Sequence, residues 1–367
     1  MDPDIDAWVV TGYSEGRIVL RDNDRFCSDW RRVGETTPPA LLSIQTLDPP
    51  VHTRIRHLMM EGLKAVGAAG KLEAELPGRV DTMLAGLADE PGRPVEFVGS
   101  FAEPLTLWAV TLLLGVPEPD RKWFVPLSNT IVDGMDADLR PECYEPSVAA
   151  RAELSAAVAD WLSRPVPGGL AAYVIERAEA EGLPLEVLWN TLRVFLQAGF
   201  QTANRFLSIG LLGLLRIPPE RRGPIDDELA VNELARWMGP VHAESRGCVR
   251  DTELGGRRIR AGDVVTVLLG AANRDPAAFD APDEPRWDRT PNLHLAFGRG
   301  PHACLGAPFA VRIARATFAA ITHRHPDARL AAEPVFRPNV TERGLHGLEV
   351  SLYGPDSEGV SCMRHNH

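Results

Sequence analysis

Leu295-Ala296-Phe297-Gly298-Arg299-Gly300-Pro301-His302-Ala303-Cys304-Leu305-Gly306 decides how this chain is read. One cysteine sits in a glycine-rich loop, and a helix-like run, Ala307 to Ala320, follows at once. That arrangement suits a metal-bound thiolate. Gly298, Gly300 and Gly306 permit positive φ and a close approach of backbone to a flat cofactor. Loop N–H groups can point at the sulfur, and the start of the next helix favours its negative charge. An isolated cysteine is more often a small buried hydrophobe, so the rest of the chain has to supply the support.

Composition narrows the choice. The chain has 367 residues, a formal net charge of -11 and 44% apolar residues, which fits a globular protein with a large core. The acidic balance counts against general nucleic-acid binding. Cys27, Cys143, Cys248, Cys304 and Cys362 lack metal-finger spacing and are odd in number, as expected in a reducing cytoplasm. The opening Met1-Asp2-Pro3-Asp4-Ile5-Asp6 is acidic, unlike a signal peptide. No apolar run reaches the ~18 residues of a membrane span. A soluble, cytoplasmic protein with a loose tail over 354–367 is expected.

Along the chain, 8–20 reads as a strand, a turn and a second short apolar element. Amphipathic helices are expected near 72–88, 99–116, 118–133, 146–163 and 169–181, from apolar residues at three- and four-residue spacing. The polar segment 134–146 reads as a loop. Residues 184–215 form a long helix, apolar enough to run through the centre. Val249–Ile259 and Asp263–Leu269 suggest a small β-sheet, and 336–352 a hairpin.

Four constellations carry chemistry. His52 and Arg56 are four apart on one helix face after Asp48-Pro49-Pro50, which suits a pair of carboxylates. Ala198-Gly199-Phe200-Gln201-Thr202 gives the long helix a bare patch where a flat ligand can lie. Thr202 can bond back along the helix and open a kink. Gln201 can hold a water but cannot change protonation state. Glu233 and Arg236 can form a bidentate pair at i,i+3. The fourth is the cysteine loop itself. No G-x-G-x-x-G, P-loop or iron–sulfur cysteine set accompanies them.

In this order, these motifs resemble the cytochrome P450 family over roughly residues 8–353. Phe297, Gly300, Cys304 and Gly306 fill every fixed position of that family's phenylalanine-x-x-glycine-x-x-x-cysteine-x-glycine loop. The resemblance implies a mainly α fold with a small β-rich lobe (α+β), forming one catalytic domain over 1–353 that lacks the family's usual leading segment. It implies haem b, with Cys304 as the axial thiolate, which pushes electron density onto iron and favours O–O cleavage. His52, Arg56, Arg246 and His302 then bind the propionates. Phe297, Gly298 and Gly306 cradle the cofactor. Ala198, Gly199, Gln201 and Thr202 line the oxygen side. Glu233, Arg236 and Arg289 form a structural triad. Segment 134–146 corresponds to the region near a mobile lid, and Thr341 and Glu342 to a turn reaching the substrate pocket.

The implied function is dioxygen-dependent oxidation, in the first place hydroxylation, of a small or medium organic molecule in specialised metabolism. Electrons come from outside, by way of ferredoxin and ferredoxin reductase, with Arg299, Arg312 and Arg315 as a basic dock. Gln201 departs from the family, which has an acid there. That departure keeps open oxidative coupling, cyclisation or another group transfer to carbon. A haem-binding recruitment module without turnover is a third alternative, disfavoured by the intact cysteine loop.

Overall fold

The computed structural model describes residues 6–87, 93–178 and 180–353. The expected loose tail, 354–367, lies outside the described residues.

The first strand, β1 (Ala7–Val10), leads into α1 (Tyr13–Arg21). The second element of the 8–20 stretch is therefore a helix, because Gly16, Val19 and Leu20 share one buried face at helical spacing. A short β2 (Phe26–Cys27) ends this entry segment. In α2 (Val51–Ala65), His52, Ile55, Leu58, Met59, Gly62 and Leu63 make one buried stripe. In α3 (Ala68–Leu87), Leu72, Leu76, Val80 and Leu84 repeat every four residues and are all buried.

After β3 (Val95–Glu96), a π-turn (Val98–Ala102) opens α4 (Glu103–Leu114), followed by α5 (Arg121–Asp133), α6 (Tyr144–Ser163) and α7 (Leu170–Arg177). The 134–146 segment is tied down rather than free. It contains two 3-10 turns, and the Asp136 carboxylate accepts from the Val340 and Thr341 amides at 2.8 and 2.9 Å.

The long helix α8 (Leu185–Leu215) is the axis of the fold. Every residue from Ala203 to Leu215 is buried. Upstream, Val194, Phe195, Ala198, Gly199 and Thr202 form a half-exposed stripe. A helix buried all round at one end and open along a stripe at the other borders a cleft. Gly199 departs from expectation. A Cβ there would meet Val110 of α4 at 2.9 Å, so tight α4–α8 packing accounts for this glycine, and Ala198 carries the bare patch.

Past α9 (Pro219–Arg222) and α10 (Glu228–Met238) lies the β-rich lobe. Its sheet has the order β1-β7-β4-β2, with β4 (Ala243–Cys248) antiparallel to β7 (Val264–Leu268) and β1 parallel to β7. Strands β5 (Thr252–Leu254) and β6 (Arg257–Ile259) form a separate hairpin, so the expected single sheet over 249–269 is split between two. A short α11 (Leu269–Ala272) leads to the cysteine loop, and α12 (Ala307–Arg324) follows it. Strands β8 (Arg329–Leu330) and β9 (Glu349–Ser351) join β3 in a third sheet. Hence only Phe336 and Leu345 bridge within the expected hairpin, while its last residues pair elsewhere.

His294, at the loop's entrance, gives the fold an acid sensitivity. Its Nδ1 accepts from the Ala296 amide at 3.2 Å and its Nε2 lies 3.1 Å from Asn232 Oδ1. Burial, then Arg299, pulls its pKa down to about 4, against Glu233. The unfolded chain takes up this proton near 6.5. Stability from this group is therefore complete above about pH 6.5 and is lost as pH falls towards 4, a difference of about 3 kcal/mol. His294→Gln is expected to flatten that part of a urea midpoint-versus-pH curve; an unchanged slope contradicts the assignment.

Candidate active site

The cysteine loop is held from within and from outside. The Cys304 amide donates to Phe297 O at 2.8 Å, and the Leu295 amide to Asn273 Oδ1 at 2.6 Å. Gly298 and Gly300 have φ of +66° and +78°. A Cβ on Gly300 would strike Leu20 O of α1 at 2.5 Å, so the loop lies flush on the entry segment. Gly306 has an ordinary helical φ of -84°, contrary to expectation; it caps α12 beside the sulfur, where a Cβ would lie 3.8 Å from Sγ.

Cys304 is open to solvent, unlike Cys27, Cys143 and Cys248, which are buried. As a free thiol its pKa is raised by the protein packed around it. The Gly306 and Ala307 amides donate to the sulfur and, with Arg56, act the other way. An accessible sulfur surrounded by protein describes a group on the floor of a cleft. Phe195 of α8 and Phe297 and Leu305 of the loop all pack on the same helical core while staying half-exposed.

Helix α2 reaches the loop directly. Arg56 Nη1 donates to Ala303 O at 2.8 Å, and the His52 and His302 rings lie 4.3 Å apart. His52 is 2% exposed, and its Nδ1 has no partner. Burial, then the charges of His302 and Arg56, lower its pKa to about 4, so it is neutral near pH 7. His302 Nε2 pairs with Asp48 Oδ1 at 3.1 Å. Burial alone would raise the Asp48 pKa, but His302, Arg32, Asn23 and the Ser28 amide hold it well below the carboxylate range. Arg246 on β4 donates to Ser245 O and to Glu244 Oε1, at 2.8 and 2.9 Å. A Glu244 oxygen also lies 3.5 Å from where a Gly298 Cβ would be.

On α8, Thr202 Oγ1 donates to Ala198 O at 2.8 Å, the back-bond expected of a kink site. Gln201 turns away towards α5. Its Nε2 donates to Asn129 Oδ1 at 3.0 Å, and its Oε1 is buried without a donor. Glu342 is buried against Arg205 Nε at 3.4 Å, and burial raises its pKa. Thr341 accepts from the His242 amide, so both residues of this turn are engaged within the protein.

Glu233 is fully buried under two guanidiniums. Arg236 donates to both its oxygens at 2.8 Å, and Arg289 Nε to both at 3.0 Å. The Arg286 amide and Asn292 Nδ2 add bonds at 2.8 and 3.2 Å. Arg236 also holds the Asn273 and Pro282 carbonyls, so the cluster fixes the segment that delivers the cysteine loop.

The family's sequence model, described as Cytochrome P450, matches residues 228–324. The putative cytochrome P450 126 of Mycobacterium tuberculosis is 32% identical over 95% of this chain and 87% of its own length. The 6-deoxyerythronolide B hydroxylase of Saccharopolyspora erythraea is 34% identical, covering 95% and 91%. The chain belongs to the cytochrome P450 family. Crystal structures of P450s superpose over nearly all of it. That of CYP109E1 from Bacillus megaterium, in complex with testosterone, gives a TM-score of 0.86 at 26% identity, covering 95% of this chain and 93% of that one. PksS, the P450 of the Bacillus subtilis 168 bacillaene polyketide synthase, gives 0.80 at 28%, covering 95% and 90%.

As a P450, the protein is a haem-dependent oxidoreductase that oxidises an organic substrate with electrons from a redox partner. The residues present suit that cofactor: an open cysteine with two amides on its sulfur, a buried unpartnered imidazole nitrogen, and a half-exposed helix stripe. Among the described residues no three His, Cys, Asp or Glu side chains gather to hold a bare metal ion. Nor is any described helix long and apolar enough to cross a membrane. Asp48, Glu244 and Asn129 escaped the sequence reading, because each acts by touching a residue distant in sequence. The Asp48-Pro49-Pro50 turn before His52 was the one available signal.

Proposed function

We propose that residues 1–353 act as one catalytic unit that hydroxylates a small or medium organic molecule in specialised metabolism. The observation that carries this reading is Cys304, accessible on its cleft floor with the Gly306 and Ala307 amides turned to its sulfur. Bound haem b supplies dioxygen activation and one-electron chemistry. Cys304 would hold the iron as thiolate, since a metal-coordinated thiol is deprotonated even where burial raises its pKa. Phe297, Gly298 and Gly306 form the floor. Ala198 and Thr202 would face it from the opposite wall, with Gly199 packed on Val110 and Gln201 bonded to Asn129 behind that wall.

His52, Arg56, Arg246 and His302 bind the propionates. His52 can donate from its free Nδ1 while neutral. Arg246, now paired with the Glu244 carboxylate at 2.9 Å, would have to release it to hold a propionate. His302 already gives Nε2 to Asp48, so it donates from Nδ1 only when it carries both protons. The Glu233–Arg236–Arg289 cluster holds the scaffold.

Hydroxylation is supported by the S. erythraea relative, and specialised metabolism by the structural likeness to PksS. Ferredoxin and ferredoxin reductase supply electrons, docking beside the cysteine at Arg299, Arg312 and Arg315; Arg315 is exposed, while Arg312 already pairs with Glu73 at 2.8 Å. Four described free cysteines support a cytoplasmic setting. The test is the carbon monoxide difference spectrum of reduced protein, followed by a substrate screen by spin-state shift. A preparation with full haem and no strongly red-shifted Soret band sinks the reading.

Gln201 favours a second outcome: oxidative coupling, cyclisation or another group transfer to carbon. An amide bonded to Asn129 cannot relay a proton by ionising. Gln201→Glu is expected to change the product ratio and the fraction of electrons lost to peroxide. Unchanged products, rate and coupling would leave Gln201 no part in proton supply.

A further inference from the structure

Positions 48, 52 and 56 repeat every four residues, and all three meet the cysteine loop. The His52 amide donates to Asp48 O at 3.1 Å, so the helical hydrogen-bond pattern of α2 reaches back to Asp48. Asp48 accepts from His302 Nε2, the His52 ring packs on the His302 ring, and Arg56 holds Ala303 O. His52 and Arg56 bring donors, which suit a cofactor carboxylate. Asp48 cannot share that task, because one carboxylate repels another.

The Asp48 carboxylate is buried and collects five donors. Oδ1 accepts from Asn23 Nδ2 at 2.7 Å and from the Ser28 amide and His302 Nε2, each at 3.1 Å. Oδ2 accepts from Arg32 Nη1 at 2.8 Å and from the Asp29 amide at 3.2 Å. Arg32 also donates to Asn23 O and Oδ1, at 2.9 and 3.2 Å, which closes the group. The donors from 23–32 hold the carboxylate still, and the carboxylate in turn holds His302. With Nε2 bonded to Asp48 and one face on His52 at 4.3 Å, the His302 ring is fixed in position and in plane. The shape of an imidazole then turns Nδ1 away from Asp48.

We infer that Asp48 is a positioning residue for the cofactor: it locks the His302 ring for a haem propionate, and it ties that lock to Asn23, Ser28, Asp29 and Arg32. This rests on the proposed propionate role of His302. Charge alone assigns Asp48 the opposite effect, since removing a negative group beside two propionates favours the haem. Positioning requires that its removal lets the haem go.

The test is haem transfer from the holoprotein to excess apomyoglobin, with the urea midpoint of the haem-free protein measured beside it. Asp48→Ala removes the acceptor and is expected to speed haem loss about tenfold or more, the range seen when the partner behind a ligand-holding histidine is removed. Asp48→Asn keeps an oxygen for His302 while losing the charge, and is expected to hold haem better than Asp48→Ala. The deciding comparison is made in His302→Ala, which itself loses haem faster than the parent. There Asp48→Ala adds nothing to haem loss, yet lowers the urea midpoint as it does in the parent. A carboxylate that only braced the fold would add its full factor in both. Asp48→Ser leaves a hydroxyl for the Ser28 and Asp29 amides but falls short of His302, and it replaces Asp48→Ala if that variant does not fold.

Four results would overturn the inference: haem loss unchanged or slowed in Asp48→Ala; the same acceleration in Asp48→Asn as in Asp48→Ala; a full further acceleration by Asp48→Ala on top of His302→Ala; or no folded protein from Asp48→Ala and Asp48→Ser alike, which would give Asp48 to the fold alone. The carbon monoxide band is read in the parent and in each variant. A parent that holds haem without that band loses the haem-thiolate reading, while the haem-loss comparison still judges Asp48. A parent with the band whose His302→Ala variant keeps its haem loses the propionate role of His302, and the inference falls with it.

Discussion

Replacing Cys304 with serine removes the red-shifted Soret band of the reduced, carbon monoxide-bound protein, and substrate oxidation goes with it. Serine keeps the size of the side chain and can still accept from the Gly306 and Ala307 amides. It offers no thiolate, so the strongly donating iron–sulfur bond is lost. Because losing an outer-sphere partner of a metal site already costs about 10–100-fold, losing the ligand itself should exceed that range. The fold should survive, since the side chain is exposed rather than packed in the core. Measured together, an unchanged urea midpoint and a vanished band locate the effect at the ligand. A Cys304→Ser protein that kept the band would place the iron ligand elsewhere.

Glu233→Gln carries the largest expected stability loss. The carboxylate is fully buried and balances Arg236 and Arg289 at 2.8 and 3.0 Å. An amide of the same shape removes the negative charge and turns an NH2 towards two guanidiniums. Breaking a buried ion pair on one side costs about 3–5 kcal/mol. Against a total of about 5–15 kcal/mol, that is enough to leave much of the protein unfolded or unable to hold haem. Because Arg236 also grips the Asn273 and Pro282 carbonyls, the damage should spread to the cysteine loop. The check is the urea midpoint of the ligand-free protein with haem content per chain. A midpoint within experimental error of the parent would show that the arginines find other partners.

The sequence disclosed most where function is carried by residues close together in the chain. Cys304 and its glycines lie within one loop, and His52 and Arg56 lie one helical turn apart; both pairings meet in space through the Ala303 and His302 contacts. The long helix was legible because thirteen consecutive buried positions, 203–215, leave an apolar run no surface helix shows. Less legible was whatever depends on a partner far away. Gly199 looked like a floor for a flat ligand, but the neighbour that requires its missing Cβ is Val110, on a helix 89 positions earlier. Gln201 was singled out for what it lacks, yet what it does, holding Asn129, needed the α5–α8 packing to be seen.

The parallel pairing of β1 with β7 has a consequence for how the chain is made. Ala7 lies beside Val264, and Val10 beside Val267. A ribosome adding about 5–20 residues per second needs roughly 13–50 s to move from the first strand to its partner. Throughout that time β1 is a nascent edge with no neighbour on this sheet, and α1 has no cysteine loop to rest on. The beginning of the protein is thus among the last parts to find its place. Truncated translation products that stop before residue 264 should expose this segment to proteases and chaperones while their helices are already formed.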